Sequence, residues 1–233
     1  MLRSVKYGES SLVSTIFTAH SGIETYMVQG VRTTSNKNNK AAYFQPSTLL
    51  DLVVYEQPLK NMQRIKEFSP AYLYQTIQED VVKNSIIIFS VEVLLRLLPE
   101  HASLPPLFEF AYNYFILVDQ SVITKISNFP LFFVIQCGKI LGYELKADPG
   151  IFIVTDDATN NFSELIAALP LNNADLNILN RFLKADSYLT IQEITMNGNT
   201  RMRLIEWYIS FLQLHTQHMG SIRSLAVLRT ILY

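Results

Sequence analysis

The hydrophobic pattern of this chain changes period once, near residue 79, and that change constrains its fold more than any other feature. Ahead of it, apolar side chains recur at alternate positions, as strands require; behind it they recur every three or four residues, as helices require. In "SLVSTIFT" (11–18), β-branched and aromatic residues alternate with small polar ones. His20-Ser21-Gly22 turns the chain into "IETYMVQGV" (23–31). "FQPSTLLDLVVYE" (44–56) puts Leu50, Leu52 and Val54 on one face of a strand, and "MQRIKEF" (62–68) reads as another. Short strands joined by polar turns in so small a unit predict a small barrel or twisted meander.

The helical half reads as clearly. Residues 80–98 are apolar on nearly every side, as expected of a central buried helix. Pro105 and Pro106 start a second helix, with Leu107, Phe110, Ala111, Tyr114, Phe115 and Val118 along one stripe. Pro130 opens a third, with Phe133, Cys137, Ile140 and Leu141 aligned. "GIFIV" (150–154) reads as a short strand and "NNADLNILNRFLKA" (172–185) as a capped helix. Asn199 or Thr200 is the expected cap of a helix that turns Met202, Ile205, Ile209 and Leu212 inward, and a last helix falls near 222–231. The expected class is α+β in two domains: residues 1–75 form the β domain, and 76–233 a helical domain with a short β insert near 149–155.

Of the 233 residues, 49% are hydrophobic and 17% charged, so a sizeable core is expected and disorder is not. The greasiest stretch, "SIIIFSVEVLLRLL" (85–98), carries Glu92 and Arg96 and stops at Pro99, short of a membrane span. "MLRSVKYGESS" has no apolar signal region, so the cytoplasm is the expected compartment. The single cysteine, Cys137 in "FFVIQCGKIL", can form neither an internal disulfide nor a cysteine-built zinc cage, and reads as a small buried hydrophobe.

A constellation for catalysis is missing. The eight glycines never stand closer than four residues apart, so there is neither a G-x-G-x-x-G turn nor a P-loop, and no G-x-S-x-G elbow appears. His215 and His218 share the i, i+3 spacing of a metal pair, and a small hydrolase built on them would need a third ligand from elsewhere. A polar helix end explains them as well, and a turn explains Asp156-Asp157. No cofactor and no enzymatic activity are expected.

Charge points instead to binding. Residues 1–66 hold eight Lys/Arg against four acids and the remainder eleven against sixteen, giving a basic front and an acidic back. "GVRTTSNKNNKAAYFQP" (30–46) concentrates Arg32, Lys37 and Lys40 without an acid, just ahead of Tyr43-Phe44. Interleaved cations and aromatics are what a single nucleic-acid strand needs, cations for phosphates and ring faces for bases. The same residues also suit a solvated hairpin tip with half-buried strand aromatics, and composition leaves both readings open.

The ordered series "YGE", then "FT…G" into a strand ending "GVR", then a basic polar loop, "FQPSTLLDLVVYE" and "QRIKEF", resembles the amino-terminal signature of the RecO family, particularly its Bacteroidetes-type members. "SLAVLRTIL" (224–232) resembles the family's last helix. The resemblance is strong over 6–98 and looser beyond. It implies an amino-terminal OB-fold β-barrel followed by a mainly α-helical carboxy-terminal domain. It also implies a DNA repair and recombination mediator that binds single- and double-stranded DNA and anneals complementary strands. The implied partners are RecR, single-strand-binding protein and, indirectly, RecA, in the cytoplasm at the nucleoid and without a membrane.

Two departures matter. Many relatives carry a four-cysteine zinc ribbon where this chain has "LGYELKADPGIFIVTDDATNNFSE" (141–164), so no metal carries over and packing around Phe152 and Val154 is expected instead. Only "MLRSVK" precedes the "YGE" element, where relatives usually have roughly a strand's worth of sequence, so either the start is shortened or the first barrel strand is incomplete, which would leave a sheet edge unpaired. The expected DNA contacts are Lys6, Arg32, Lys37 and Lys40 for charge, joined by Arg64 and Lys66, with Tyr43 as the stacking platform. The competing expectation is an OB-fold adaptor between proteins with little affinity for DNA.

Overall fold

A computed structural model describes residues 1–32, 40–55, 57, 60–143, 145–148, 151–154, 170–216 and 219–232, with the backbone alone for 146–148 and 151–154. Contacts gather the chain into two units, Met1–Gln78 with Leu98–Asp119, and Glu79–Leu97 with Gln120–Tyr233. Among the described residues, no helix is long and apolar enough to cross a membrane.

The first unit is built on strands β1 (Arg3–Tyr7), β2 (Ser11–Thr18), β3 (Gly22–Val28), β4 (Leu49–Tyr55) and β5 (Met62–Tyr72). Their order is β1-β2-β3-β5-β4, antiparallel throughout except for the parallel β3–β5 pair. This is a five-stranded Greek-key sheet of the OB type. Alternation in β2 sends Leu12, Ser14 and Ile16 inward. Ser14 is tolerated there because its hydroxyl shares a 2.8 Å hydrogen bond with Ser4. Met1, Leu12, Ile16, Tyr26, Val28, Val31 and Phe44 form the core, with Leu50, Leu52, Ile65 and Phe68 against it. Phe44, in the 3-10 turn Lys40–Phe44, plugs this core edge-on to Phe68, with ring centroids 4.8 Å apart.

Two irregularities bend the sheet. Leu49 pairs with Tyr72 but Leu50 with Pro70, and Val53 pairs with Glu67 but Val54 with Ile65, so Ala71 and Lys66 are the extra residues of β-bulges. Helix α2 (Pro105–Gln120) falls mostly in this unit. Phe108 meets Phe17 edge-on at 5.5 Å. Gly22 lies so close to the chain at Ala102 that an added Cβ would stand 2.0 Å from the Ala102 carbonyl oxygen, and its φ of +69° is itself a glycine conformation. Asp119 near the end of α2 is buried, and its carboxylate accepts from the Tyr72 hydroxyl (2.9 Å) and from the amides of Gln75 (2.9 Å), Thr76 (2.8 Å) and Ile77 (3.1 Å).

The second unit contains α1 (Val81–Leu97), α3 (Phe129–Ile140), α4 (Asn173–Lys184), α5 (Tyr188–Gln192), α6 (Gly198–His215) and α7 (Ser224–Leu232), with the hairpin β6 (Leu145–Asp148) and β7 (Ile151–Val154). In α3, every residue from Phe129 to Ile135 is buried, as are Cys137 and Gly138. Burial pushes the Cys137 thiol up, out of the range of a reactive cysteine. At Gly138 an added Cβ would meet the Tyr208 hydroxyl at 2.5 Å, so glycine is what lets α3 and α6 approach. Asn128 donates to the carbonyls of Ile191 and Ile194, both at 2.8 Å, and accepts from Arg201 Nε at 2.9 Å. Asn172 and Asp175 form a capping box on α4, and Arg203 grips Asp175 through two nitrogens. The cap of α6 is Asn197, whose Oδ1 accepts from the Thr200 amide at 2.8 Å, and neither Asn199 nor Thr200. Gly198 enters the helix, so it starts a turn-fraction earlier than the spacing predicts. Glu92 caps α7 by accepting from the amides of Arg223 (3.0 Å) and Ser224 (2.7 Å) and from the Ser224 hydroxyl. Burial pushes its carboxyl up, but those bonds outweigh the effect and hold it below the usual range.

Candidate nucleic-acid interface

Where Leu50, Leu52 and Val54 face the core, alternation turns Asp51, Val53 and Tyr55 outward. The same rule turns Arg3, Val5 and Tyr7 outward on β1, opposite Thr15, Val13 and Ser11. Strand register then assembles one row across all five strands: Val5 pairs with Val13, Val13 with Met27, Met27 with Arg64, and Arg64 with Tyr55. A second row runs Arg3, Thr15, Thr25, Met62. At about 4.8 Å between strands, the first row follows roughly 19 Å of surface. Tyr7 is 56% exposed and Tyr55 52%, and Arg3 and Arg64 stand exposed among them.

The expected contact residues fall into three places. Arg64 lies in the central row, and Lys66, the bulge residue beyond it, is exposed with a 3.5 Å ion pair to the equally exposed Glu67. Such a surface pair is weak enough for a phosphate to displace. Lys6 is exposed but shares its side of the sheet with Leu12, so it emerges at the rim beside the β1–β2 turn. Arg32 joins that rim, its amide donating to Ser10 O and its guanidinium to Gly8 O, both at 3.1 Å. Lys40 and Tyr43 belong to the 3-10 turn; Lys40 is exposed, and Tyr43 leans on Phe68 at 5.9 Å with 36% of its surface left open. Lys37 lies outside the described residues.

Residues absent from the sequence-based set are Arg3, Tyr7, Tyr55 and Lys60. Lys60 is exposed in the β4–β5 loop, which buried Gln63 ties down by accepting from the Gln57 amide (2.8 Å) and donating to the carbonyls of Gln57 (3.0 Å) and Lys60 (2.9 Å). Parity along "LLDLVVY" was signal enough to find Tyr55. The acids Asp51 and Glu67 also point outward, but farther along β4 and β5, so the basic character concentrates on the Arg3–Arg64 side.

The His215 ring sits 4.5 Å from Phe211 and 5.2 Å from Tyr143, its Nδ1 bonded to Phe211 O at 2.8 Å, while His218 lies outside the described residues. Among the described residues, no three His, Cys, Asp or Glu side chains are grouped to hold a metal.

Family models match both parts of the chain, recombination protein O N terminal over residues 1–74 and recombination protein O C terminal over 78–225. The chain belongs to the recombination protein O (RecO) family. The DNA repair protein RecO of Christiangramia forsetii is 29% identical over 234 residues, covering 99% of this chain and 96% of that protein. Those of Flavobacterium psychrophilum and Flavobacterium johnsoniae are 27% and 25% identical with the same coverage. In the segment 141–164, expected to stand without the zinc-ribbon cysteines, β6 pairs with β7, Leu145 with Val154 and Asp148 with Ile151. The side chains of Phe152 and Val154, expected to hold that segment, lie outside the described residues.

Proposed function

We propose that this protein is a recombination mediator that binds DNA on the outer face of its β unit, anneals complementary strands and, with RecR, helps RecA replace single-strand-binding protein. Membership of the RecO family supports the role in DNA repair and recombination. The observation that carries the DNA-binding reading is the row Val5–Val13–Met27–Arg64–Tyr55, which sets an exposed ring beside an exposed guanidinium on an OB sheet. Phosphates are met by Arg3, Arg64, Lys66 and Lys60 along the face, by Lys6 and Arg32 at the rim, and by Lys37 and Lys40 next to them in sequence. Tyr7 and Tyr55 are the stacking platforms, with Tyr43 beyond them. The protein acts without turnover chemistry, in the cytoplasm at the nucleoid, through duplex and single-stranded DNA alike. Residues 1–75 carry the DNA and 76–233 the protein contacts.

Base–aromatic stacking contributes about 1–3 kcal/mol per base. Tyr7→Ala and Tyr55→Ala should therefore each weaken binding of a labelled single-stranded oligonucleotide roughly 5- to 150-fold, and slow annealing of complementary oligonucleotides. Unchanged affinity and annealing in the double variant would overturn the stacking assignment and leave the protein–protein adaptor as the better reading.

A further inference from the structure

The turn between β4 and β5 is tied from the core side by one side chain. Gln63, second residue of β5, pairs with Tyr26 of β3 and shares the inward side of the sheet with Ile65, where an apolar residue is the ordinary choice. It is buried, and its amide reaches the turn at three points: Oε1 accepts from the Gln57 amide at 2.8 Å, and Nε2 donates to the carbonyls of Gln57 at 3.0 Å and Lys60 at 2.9 Å. Within the turn the Lys60 amide donates to Gln57 O at 3.0 Å, so its two ends are held to each other and to the same side chain. Tyr55 ends β4 just ahead of this turn, and Arg64, next to Gln63 in sequence, is its partner across the sheet. Lys60 and Arg64 are both exposed. One buried amide thus fixes where the Lys60 backbone stands beside the guanidinium and ring that end the central row.

On the DNA-binding reading of this face, we propose that Gln63 is a positioning residue for the DNA strand and that it acts through Lys60. The turn joining these two strands is one of the loops with which OB-folds meet oligonucleotides. A lysine has a long flexible stem, and a mobile backbone beneath it would add to what must be ordered when it closes on a phosphate. Gln63 does that ordering in advance, in the free protein. An inward leucine would serve the core as well; the amide is matched to the turn, whose exposed lysine is the group that gains from it.

The test is a double-mutant cycle on the full-length protein, read by anisotropy of a labelled single-stranded oligonucleotide at about 100 mM salt. Gln63→Leu removes the three bonds and should raise Kd about 3- to 10-fold, while exchange of the Gln57 amide quickens by about tenfold or more. Gln63→Met, which keeps the length without the amide, should do the same and carries the test if the leucine variant does not fold. Lys60→Ala should cost about fivefold, the loss of one phosphate contact at roughly 0.7 counterion. The two costs should not add: in the Lys60→Ala chain, Gln63→Leu should change Kd by less than about twofold. The cost of Arg3→Ala, on β1, should add in full to that of Gln63→Leu, which a general loosening of the sheet would not allow. Full additivity of Gln63→Leu with Lys60→Ala would overturn the proposal and leave the DNA reading standing. So would an unchanged Kd in a variant whose Gln57 amide exchanges freely. Wild-type protein that fails to bind at about 50 mM salt would overturn both.

Discussion

Replacing Asp119 by alanine tests how the first unit holds α2 to the end of its sheet. The carboxylate is the common acceptor for the Tyr72 hydroxyl and for three consecutive amides, Gln75, Thr76 and Ile77, and Oδ1 also takes the Thr76 hydroxyl at 3.0 Å. Alanine would remove the carboxylate that the Tyr72 hydroxyl and the three amides share, while the Thr76 hydroxyl keeps the Asp119 carbonyl at 2.7 Å. Removing one side of a buried charged network costs about 3–5 kcal/mol, more than the loss of a single neutral bond at about 1 kcal/mol. At 2–4 °C per kcal/mol for a chain of this size, the transition should fall by about 6–20 °C. Asp119→Asn keeps the shape and half of the acceptors, so it should fall between the two.

The pH dependence gives a second readout. Burial pushes the Asp119 carboxyl up, but the bonds from Gln75, Thr76, Ile77 and Tyr72 outweigh it and hold the group below its ordinary value. A depressed folded-state pKa means stability that is complete above the unfolded carboxylate value of about 3.9 and lost as pH falls through the folded value. The gap in melting temperature between wild type and Asp119→Ala should be full at neutral pH and shrink below about pH 4. Thermal melts by circular dichroism across pH, with exchange of the Gln75–Ile77 amides, measure both. A variant within about 0.5 kcal/mol of wild type, or a gap unchanged down to pH 3, would refute the reasoning.

Three further outcomes follow from the second unit. Gly138→Ala should destabilise by about 1–3 kcal/mol because its Cβ meets the Tyr208 hydroxyl, and Tyr208→Phe in the same chain should restore part of that loss, as read from urea midpoints. Asn197→Ala should cost about 1 kcal/mol and Asn199→Ala a few tenths at most, separating the observed cap of α6 from its neighbour. Asn128→Ala should cost about 2–3 kcal/mol, since it removes at once the bonds to the Ile191 and Ile194 carbonyls and the bond from Arg201 Nε.

Much of this fold was legible because burial imposes period. β2, β4 and β5 bury one face each, and α1 and α3 are apolar almost all round, so their residues announce themselves. The parts that escaped bury little or are short. β1, "RSVKY", is exposed at four of its five positions and offers no alternation to read. β6 has four residues and α5 five, too few for a period to show. In "NGNT" three residues could cap a helix, and only the backbone at Gly198 decides among them. The interface was half legible. The basic bias of the first 66 residues and the aromatic interleaving were visible, and parity alone places Tyr55 opposite Leu50, Leu52 and Val54. What parity could not supply is the row joining Val5, Val13, Met27, Arg64 and Tyr55. That row depends on the parallel β3–β5 register and on the bulge at Lys66, both long-range features that no local pattern encodes.

The central claim, that the β unit grips DNA through its outer face, is tested most directly by fluorescence anisotropy of a labelled single-stranded oligonucleotide over a salt series. With the eight phosphate contacts at roughly 0.7 counterion each, log Kobs should fall against log salt with a slope of about −5.6, a loss of roughly 2,000-fold between 50 and 200 mM. Arg3→Ala and Arg64→Ala should each flatten that slope by about 0.7 without unfolding the protein. Binding that is absent at about 50 mM salt, or whose slope is unchanged in the double variant, would contradict the account.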